Sequence, residues 1–390
     1  MSTLSALLLC LAVYIGTLSY YPPLGLFTHR LTPDIEFRPF ITGPIPSREG
    51  PYAPNQLLEA NTQYIELGIH EGPESITINK RGDVYFSLKS GEIRYIEAPI
   101  TLSALYTNGS NVIHESKTLF HGGRPLGIHF DHDDNLLVAD AVKGLIRVDK
   151  DTKEATLLVT SYGGKKLTFI NDVTSAPDGM VYFSDSSSIA PIYDSQGDWN
   201  TQLPSMFSCI SSNPNGKLLS YNPKTKEVKV LIDGLQYANG VTMDQNNESV
   251  FVAETATFKI WRYWISGPNA GKASVFISDL PGFPDGIRLG QDNRLYIGIY
   301  GGRTWILDFF LQYPMIKRSI FRLPFFVPPI SPPFVAIANS NTGDIIQTLQ
   351  SAKNSHFKTV TSAMERDGLV YIGNLYNNFI GVYNINATNK

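Results

Sequence analysis

The sequence predicts an all-β chain folded as a six-bladed β-propeller, with an N-terminal transmembrane or signal segment and one short helical insertion. Three observations predict it. The first is a hairpin frame that recurs along the chain. In GFPDGIRLGQDNRLYIG, residues 282–298, Asp285 stands eleven residues before Tyr296, and Asp292-Asn293 between them has the chemistry of a tight turn. Glu74 stands in the same relation to Tyr85, Leu126 to Leu137 and Asn171 to Tyr182, while Asn239 leads Phe251 by one residue more. A sixth copy ends on Tyr371 and opens at Val360 or Thr361. The second observation is the period. The opening residues follow one another at intervals near the length of a four-stranded blade, with two longer gaps that mark insertions. The third is composition: 32 Gly, 25 Pro, 20 Tyr and 21 Phe suit many short strands separated by turns.

With 390 residues and 43% hydrophobic content the chain can bury a large core, and a propeller accommodates that length as one domain. The expected organisation is an N-terminal segment over residues 1–28, a Pro-rich linker over 29–54 and the propeller over 55–388, with insertions at 189–215 and 303–329. A strand near Gln63 to Leu67 is expected to complete the last blade, because ring closure leaves no exposed sheet edge. A net charge of −3, with no Lys/Arg block, offers nothing for a polyanion and excludes nucleic acid as a partner.

In a propeller the first strand of each blade lines the central channel, so the residues that open the frames converge toward one end of it. Round the ring these are Glu74, Leu126, Asn171, Asn239, Asp285 and Val360 or Thr361. Two carboxylates and two amide carbonyls form an oxygen cage for a hard cation, and two negative charges suit one Ca²⁺ completed by water.

At these residues the chain resembles a known superfamily of six-bladed propellers, that of gluconolactonase, paraoxonase, diisopropyl fluorophosphatase and strictosidine synthase. Glu74 in EGPES, Asn171 in FINDV, Asn239 in YANGV and Asp285 in FPDGI match the metal ligands of its hydrolytic members. The stretches NDVTSAPDGMVYFSDSSS, VLIDGLQYANGV, FVAETATFKIWRYWISG, LPGFPDGI and LDFFLQYPMIKRSIF are similar to a narrower branch, the strictosidine-synthase-like family of adipocyte plasma membrane-associated proteins, over residues 60–385. The resemblance implies Ca²⁺ as cofactor and Asp285 as the catalytic base. It also shows two departures. Leu126 stands where paraoxonase-like enzymes have a channel histidine, and Thr361 stands where strictosidine synthase has its catalytic glutamate, so condensation of an amine with an aldehyde is not supported.

The run Leu4–Tyr21 is apolar over 18 residues, the lower end of what spans a bilayer, and no charged side chain precedes Arg30. It reads as a secretory-pathway segment, either retained as a type II anchor, as the resemblance implies, or cleaved near Thr17-Leu-Ser19 to give a secreted protein. Sequons at Asn108, Asn247 and Asn386 agree with a luminal or extracellular propeller. Cys10 lies in the apolar run, which leaves Cys209 alone in the domain with no disulfide partner. Among Ser and Asn it reads as a loop thiol rather than a nucleophile.

The 189–215 insertion follows the serines Ser186 to Ser188, which read as a solvated turn or a hydrogen-bonding support for the metal end, and is expected to arch over the channel. In the second insertion, Trp305, Ile306, Phe309, Phe310, Tyr313, Ile316, Ile320, Phe321, Phe325 and Phe326 suggest two short amphipathic helices broken at Pro314. They would form a lid over an apolar pocket, a plain packing element or a surface that dips into a membrane, and Asp308, Lys317, Arg318 and Arg322 exclude a membrane span. His129, three residues beyond Leu126, is expected on the opposite side of its strand as a core or inter-blade residue, and His70 in a loop.

Two functions remain. The chain is either a calcium-dependent hydrolase of small apolar esters or lactones, arylesterase-like, at the membrane or in the secretory pathway, or a non-catalytic propeller receptor or scaffold that calcium stabilises.

Overall fold

A computed structural model describes residues 35–100, 106–107, 110–111, 113–194, 197–321, 330–351 and 356–387. Six four-stranded antiparallel sheets form a ring. Five blades run in simple sequence order, their innermost strands being Ile76–Ile78, Pro125–Phe130, Ile170–Ser175, Ala238–Met243 and Gly282–Leu289. The sixth combines Ser362–Arg366, Leu369–Gly373 and Phe379–Asn384 with Thr62–Glu66 as its outer strand, paired Thr62 to Tyr383 and Glu66 to Phe379. The six-bladed propeller and its closure by the N-terminal strand are as the sequence predicts.

Six apolar clusters, one at each blade interface, hold the ring together. Because successive strand residues point to opposite faces, Phe251 packs toward the fifth blade while Val250 and Val252 pack toward the third. Strands covered on both faces read as unbroken apolar runs, as in SVFVAE and RLYIGIYGG. Each buried Phe, Leu or Ile contributes about 1.5–3 kcal/mol relative to exposure.

Two local devices position the channel-lining residues. Blades two to five carry a register shift in the pairing of their first two strands, between Pro125 and Ile128, Ile170 and Val173, Ala238 and Val241, and Pro284 and Ile287. Such bulges re-aim side chains, and each of the four spans an opening residue: Leu126, Asn171, Asn239 or Asp285. Three of these are followed by glycine. A Cβ on Gly240 would lie 2.4 Å from the Ile287 nitrogen, and one on Gly127 would lie 2.1 Å from Asp172 Oδ1, so neighbouring inner strands approach too closely for any side chain there.

One end of the ring is capped by helices. Trp305–Leu311 starts on Thr304, whose side chain accepts a hydrogen bond from the Leu307 N–H, and Pro314–Ile320 opens on its proline, the break expected at Pro314. Leu307 and Leu311 insert into the cluster between the fourth and fifth blades. A third helix, Gln202–Ser211, lies in the first insertion and corrects the loop expected around Cys209. Its QLPSMFSCIS sequence is serine-rich and weak in helix propensity. Pro204 is tolerated in the first turn, and burial of Phe207 and Ile210 decides the outcome. Phe207 meets Phe321 at 4.4 Å between ring centroids.

The chain that precedes the first blade ties this cap together. Arg38 N–H donates to the Ser211 carbonyl and Phe40 N–H to the Leu311 carbonyl, both at 2.9 Å, satisfying helix C-terminal oxygens. Buried Lys317 donates to the Arg38 carbonyl at 2.5 Å and to Ser212 Oγ at 2.9 Å. The apolar run Leu4–Tyr21, Cys10, Asn108, Arg322, Phe325 and Phe326 lie outside the described residues. Among those described, no helix is long and apolar enough to cross a membrane.

Candidate metal centre

Glu74, Asn171, Asn239 and Asp285 come from four different blades and meet at one end of the channel, where all four line a cavity of ≈ 20 Å³ together with Thr361 and Ser362. That volume holds one water or one ion. The two asparagines are oriented by the same device. Asn171 Nδ2 donates to Ser186 Oγ at 3.0 Å, and Ser186 Oγ donates to the Ala238 carbonyl at 2.5 Å. Asn239 Nδ2 donates to Thr255 Oγ1 at 3.1 Å, and Thr255 Oγ1 donates to the Pro284 carbonyl at 2.7 Å. Each amide nitrogen is held by a hydroxyl that follows the second strand of its own blade, which leaves the Asn171 oxygen to the ring, while the Asn239 amide also hydrogen-bonds Asp285. Ser186 thus serves as the support expected of the serine run, and it is fully buried rather than in a solvated turn.

Between the two alternatives for the sixth opening residue, the structure places Thr361 at the ring and Val360 in the core. Thr361 Oγ1 and Ser362 Oγ donate to the Glu74 carbonyl at 2.7 and 2.8 Å and fix that residue's backbone.

The charges are unequal partners. Glu74 Oε2 accepts from Arg124 at 2.5 Å, and that guanidinium, 1% exposed, also donates to the Pro125 carbonyl. Burial raises the Glu74 carboxyl above its ordinary range, and the Arg124 cation opposes that rise. Asp285 has no such cation. Burial first, and the Glu74 charge second, push it well above the usual carboxylate range, against the hydrogen bond from Asn239. The ring therefore carries two carboxylates against one guanidinium, and a bound cation or a proton relieves the excess. Among the described residues no three His, Cys, Asp or Glu side chains gather as a metal site built on those groups alone would need. The ring supplies amide oxygens in their place, a donor set that fits a hard, oxygen-seeking ion.

Asp172 and Arg288 line the same cavity and form an ion pair there. Arg288 donates to Asp172 through both terminal nitrogens, at 2.6 and 2.8 Å, and to the Ile287 carbonyl at 2.8 Å. His129 is in its field: burial and the Arg288 charge depress the imidazole to about 3, so it is neutral. It does not line the pocket. His70 sits beside Glu92, Nδ1 to Oε2 3.8 Å, on the third strand of the first blade and away from the ring.

Above the ring opens a cavity of ≈ 180 Å³ with an apolar wall of Leu126, Phe169, Met206, Ile210, Phe283 and Leu375. Helix Gln202–Ser211 forms its roof, contributing Gln202, Ser205 and Cys209, so the pocket cover is this helix. The helical pair, for which a lid was one of three expected uses, packs against the roof from outside and has no residue in the lining. Hydroxyls cross the pocket: Tyr237 Oη contacts Ser205 Oγ, and Gln202 Nε2 donates to Tyr300 Oη at 3.1 Å. The Cys209 thiol faces the cavity, where burial and then the Asp285 charge push its pKa up and keep it protonated and unreactive.

Sequence reasoning expected the 189–215 insertion to arch over the channel, as it does, but missed Arg124, Arg288, Tyr237 and the helical form of that arch. The arginines carried a signal: a charge at the start of an inner strand, RPLG, and another within one, DGIRL, each need a buried partner.

Fold and site together define a class: a six-bladed propeller with an oxygen-rich ring at one end of its channel and a roofed apolar pocket above. Comparison with known proteins bears on the fold and the family. The strictosidine synthase family model matches residues 171–268, and the model for the N-terminal part of strictosidine synthase-like proteins matches residues 50–95. Adipocyte plasma membrane-associated protein of Rattus norvegicus is 33% identical over 354 residues, covering 85% of this chain and 88% of its own. Strictosidine synthase-like protein 3 of Arabidopsis thaliana is 29% identical over 348 residues, covering 85% and 86%. The chain belongs to this strictosidine synthase-like family of adipocyte plasma membrane-associated proteins. In fold it is similar to a gluconolactonase of Xanthomonas campestris, TM-score 0.57 at 14% identity over 88% of this chain and 97% of that one. It is also similar to a calcium-binding protein, regucalcin, of Agrobacterium tumefaciens, TM-score 0.53 at 12% identity over 82% and 92%.

Proposed function

We propose that Glu74, Asn171, Asn239 and Asp285 hold one Ca²⁺ and that the chain hydrolyses small apolar esters or lactones in the pocket above. The observation that carries this reading is the meeting of four oxygen side chains from four blades around an ion-sized cavity, directly beneath a roofed apolar pocket. When bound, the ion supplies a Lewis acid for the substrate carbonyl and lowers the pKa of a water. The protein supplies the rest. Leu126, Phe169, Met206 and Phe283 bind the apolar part of the substrate and exclude bulk water. Tyr237 and Ser205 orient its oxygens. Asp285 takes the proton from the attacking water and can do so only when ionised; burial and the Glu74 charge raise its pKa in the cation-free protein, and a bound cation would oppose that rise and favour the ionised form. Arg124 holds Glu74 in place.

Two observations favour a second reading, a calcium-stabilised receptor or scaffold. The pocket lining contains no histidine, with Leu126 filling that position, and Glu74 is already paired with Arg124. The relatives' name supports membrane association, and Leu4–Tyr21 is proposed as a type II anchor with the propeller on the luminal side. Asn247 and Asn386 both lie on exposed turns, as glycosylation there requires.

Hydrolysis of a panel of aryl esters and lactones by the purified protein, with calcium and with chelator, separates the two. Turnover that chelator abolishes supports the hydrolase. Calcium binding without turnover above the chelated control replaces it with the scaffold.

A further inference from the structure

The outer face of the helical cap is apolar beyond what packing explains. Trp305 is 73% exposed, Phe309 45%, Tyr313 44% and Met315 52%, all within one pair of short helices. The Phe309 and Tyr313 rings meet at 4.9 Å between centroids, and Trp305 lies about one helical turn before Phe309. The only acid of the pair, Asp308, is turned inward against Arg303 at 2.8 Å, and the charge left on the surface is Arg318. Monomeric proteins seldom leave several large aromatics together in water, and aromatic ridges edged by a basic residue suit the headgroup region of a bilayer.

The path of the chain names the occupant. Arg38 and Phe40 are hydrogen-bonded to the C-terminal ends of two cap helices, and Phe37 meets Phe321 at 5.8 Å between centroids. The chain therefore enters the fold at the cap. Between Tyr21, where the apolar run ends, and Ile35 lie thirteen residues, which span at most about 45 Å fully extended. A bilayer that holds Leu4–Tyr21 is thus tethered to the end of the propeller that carries the exposed ridge.

We propose that this ridge, Trp305, Phe309, Tyr313 and Met315, rests on the same lipid bilayer, so that the propeller lies cap-down and its roofed pocket is at the membrane surface. The roof helix is shared: Phe207 contacts Phe321 of the cap on one side, while Met206 and Ile210 of the same helix line the pocket on the other. Ligands that partition into lipid would reach the pocket without crossing bulk water. The surface contact holds whether the pocket acts as hydrolase or receptor.

The test uses the full chain in nanodiscs that hold a single copy, made of phosphatidylcholine and phosphatidylserine with a fraction of the chains spin-labelled near the headgroup. Incorporation into discs reports the N-terminal segment, and quenching of tryptophan emission reports the cap. The chain has four tryptophans, and Trp305→Phe is expected to remove at least half of the quenched signal. Phe309→Glu with Met315→Glu, which keeps Trp305, is expected to cut quenching at least twofold while circular dichroism and disc incorporation stay unchanged. Equal quenching in all three proteins overturns the proposal. A ridge covered instead by a second copy gives the same null in single-copy discs and concentration-dependent association in detergent, which also overturns it.

Discussion

Two successive layers of the channel treat charge in opposite ways. In the lower layer Asp172 and Arg288 form a closed pair, both nearly inaccessible, with every strong contact made inside the protein. In the upper layer Asn171 and Asp285 sit with Glu74, and only Glu74 has a cation, Arg124. The lower layer balances; the upper is left with negative charge that the fold itself does not neutralise. A buried carboxylate without a cation takes up a proton or is completed by an ion from outside the chain. The contrast separates a structural pair from a site, and it can be tested from either side.

The largest expected effect lies in the upper layer. Asp285→Asn keeps the shape and an oxygen while removing the charge and the base, so turnover should fall by about 10²–10⁴-fold. Calcium affinity should weaken with it, and near-ultraviolet circular dichroism should stay that of the parent. A variant that keeps parental turnover removes Asp285 from the chemistry.

Stability should report the lower layer more strongly. Arg288→Met leaves Asp172 buried with two backbone N–H donors and no cation, a loss of about 3–5 kcal/mol in denaturant unfolding. Calcium should restore none of it. Arg124→Met should also destabilise the chelated protein, but there calcium should recover part of the loss, because the ring accepts an outside cation. Equal rescue of both variants, or of neither, erases the distinction between the layers.

A smaller effect is a pH slope. In chelator the folded-state pKa of Asp285 lies above its unfolded value. The folded protein then binds more protons than the unfolded one between the ordinary carboxylate range and the raised value. Stability should fall as pH rises through that window, by at most about 1.4 kcal/mol per unit for this group, and level off above it. Asp285→Asn should remove this part of the slope. Asp185, pushed up to about 6 by burial, contributes with the same sign to both proteins and cancels in the difference. Parallel stability profiles for parent and variant would mean that Asp285 carries no strain.

What the sequence made legible follows from what is periodic. The hairpin frame is local, so blade number, closure and the four oxygen residues could be read from spacing. The break between the cap helices at Pro314 is a local rule of the same kind. The charge balance was not legible, because Arg124 lies fifty positions from Glu74 and Arg288 over a hundred from Asp172. That the 189–215 insertion arches over the channel was legible, but its helix was not, for another reason. Tertiary burial of Phe207 and Ile210 overrides a serine-rich local preference, and only that helix turns Cys209 toward the pocket.

The smallest expected effect tests how the upper layer is held. Thr255 receives the Asn239 amide and donates to the Pro284 carbonyl, the residue just before Asp285, so one hydroxyl aligns two members of the ring. Thr255→Val keeps the volume and the β-branch but removes both bonds. It leaves the Asn239 amide held by Asp285 alone, with its nitrogen turned into the ring, and a nitrogen donor repels a cation. Outer-shell losses of this kind cost about 10–100-fold in metal affinity, while one lost hydrogen bond costs about 1 kcal/mol of stability. Isothermal titration should therefore show calcium weakened by at least tenfold against a modest drop in unfolding free energy. Ser186→Ala, which frees Asn171 in the same way, should match it. Hydroxyls that merely packed the channel would give the stability loss with calcium affinity unmoved, and the amides would then lie outside the ion's coordination.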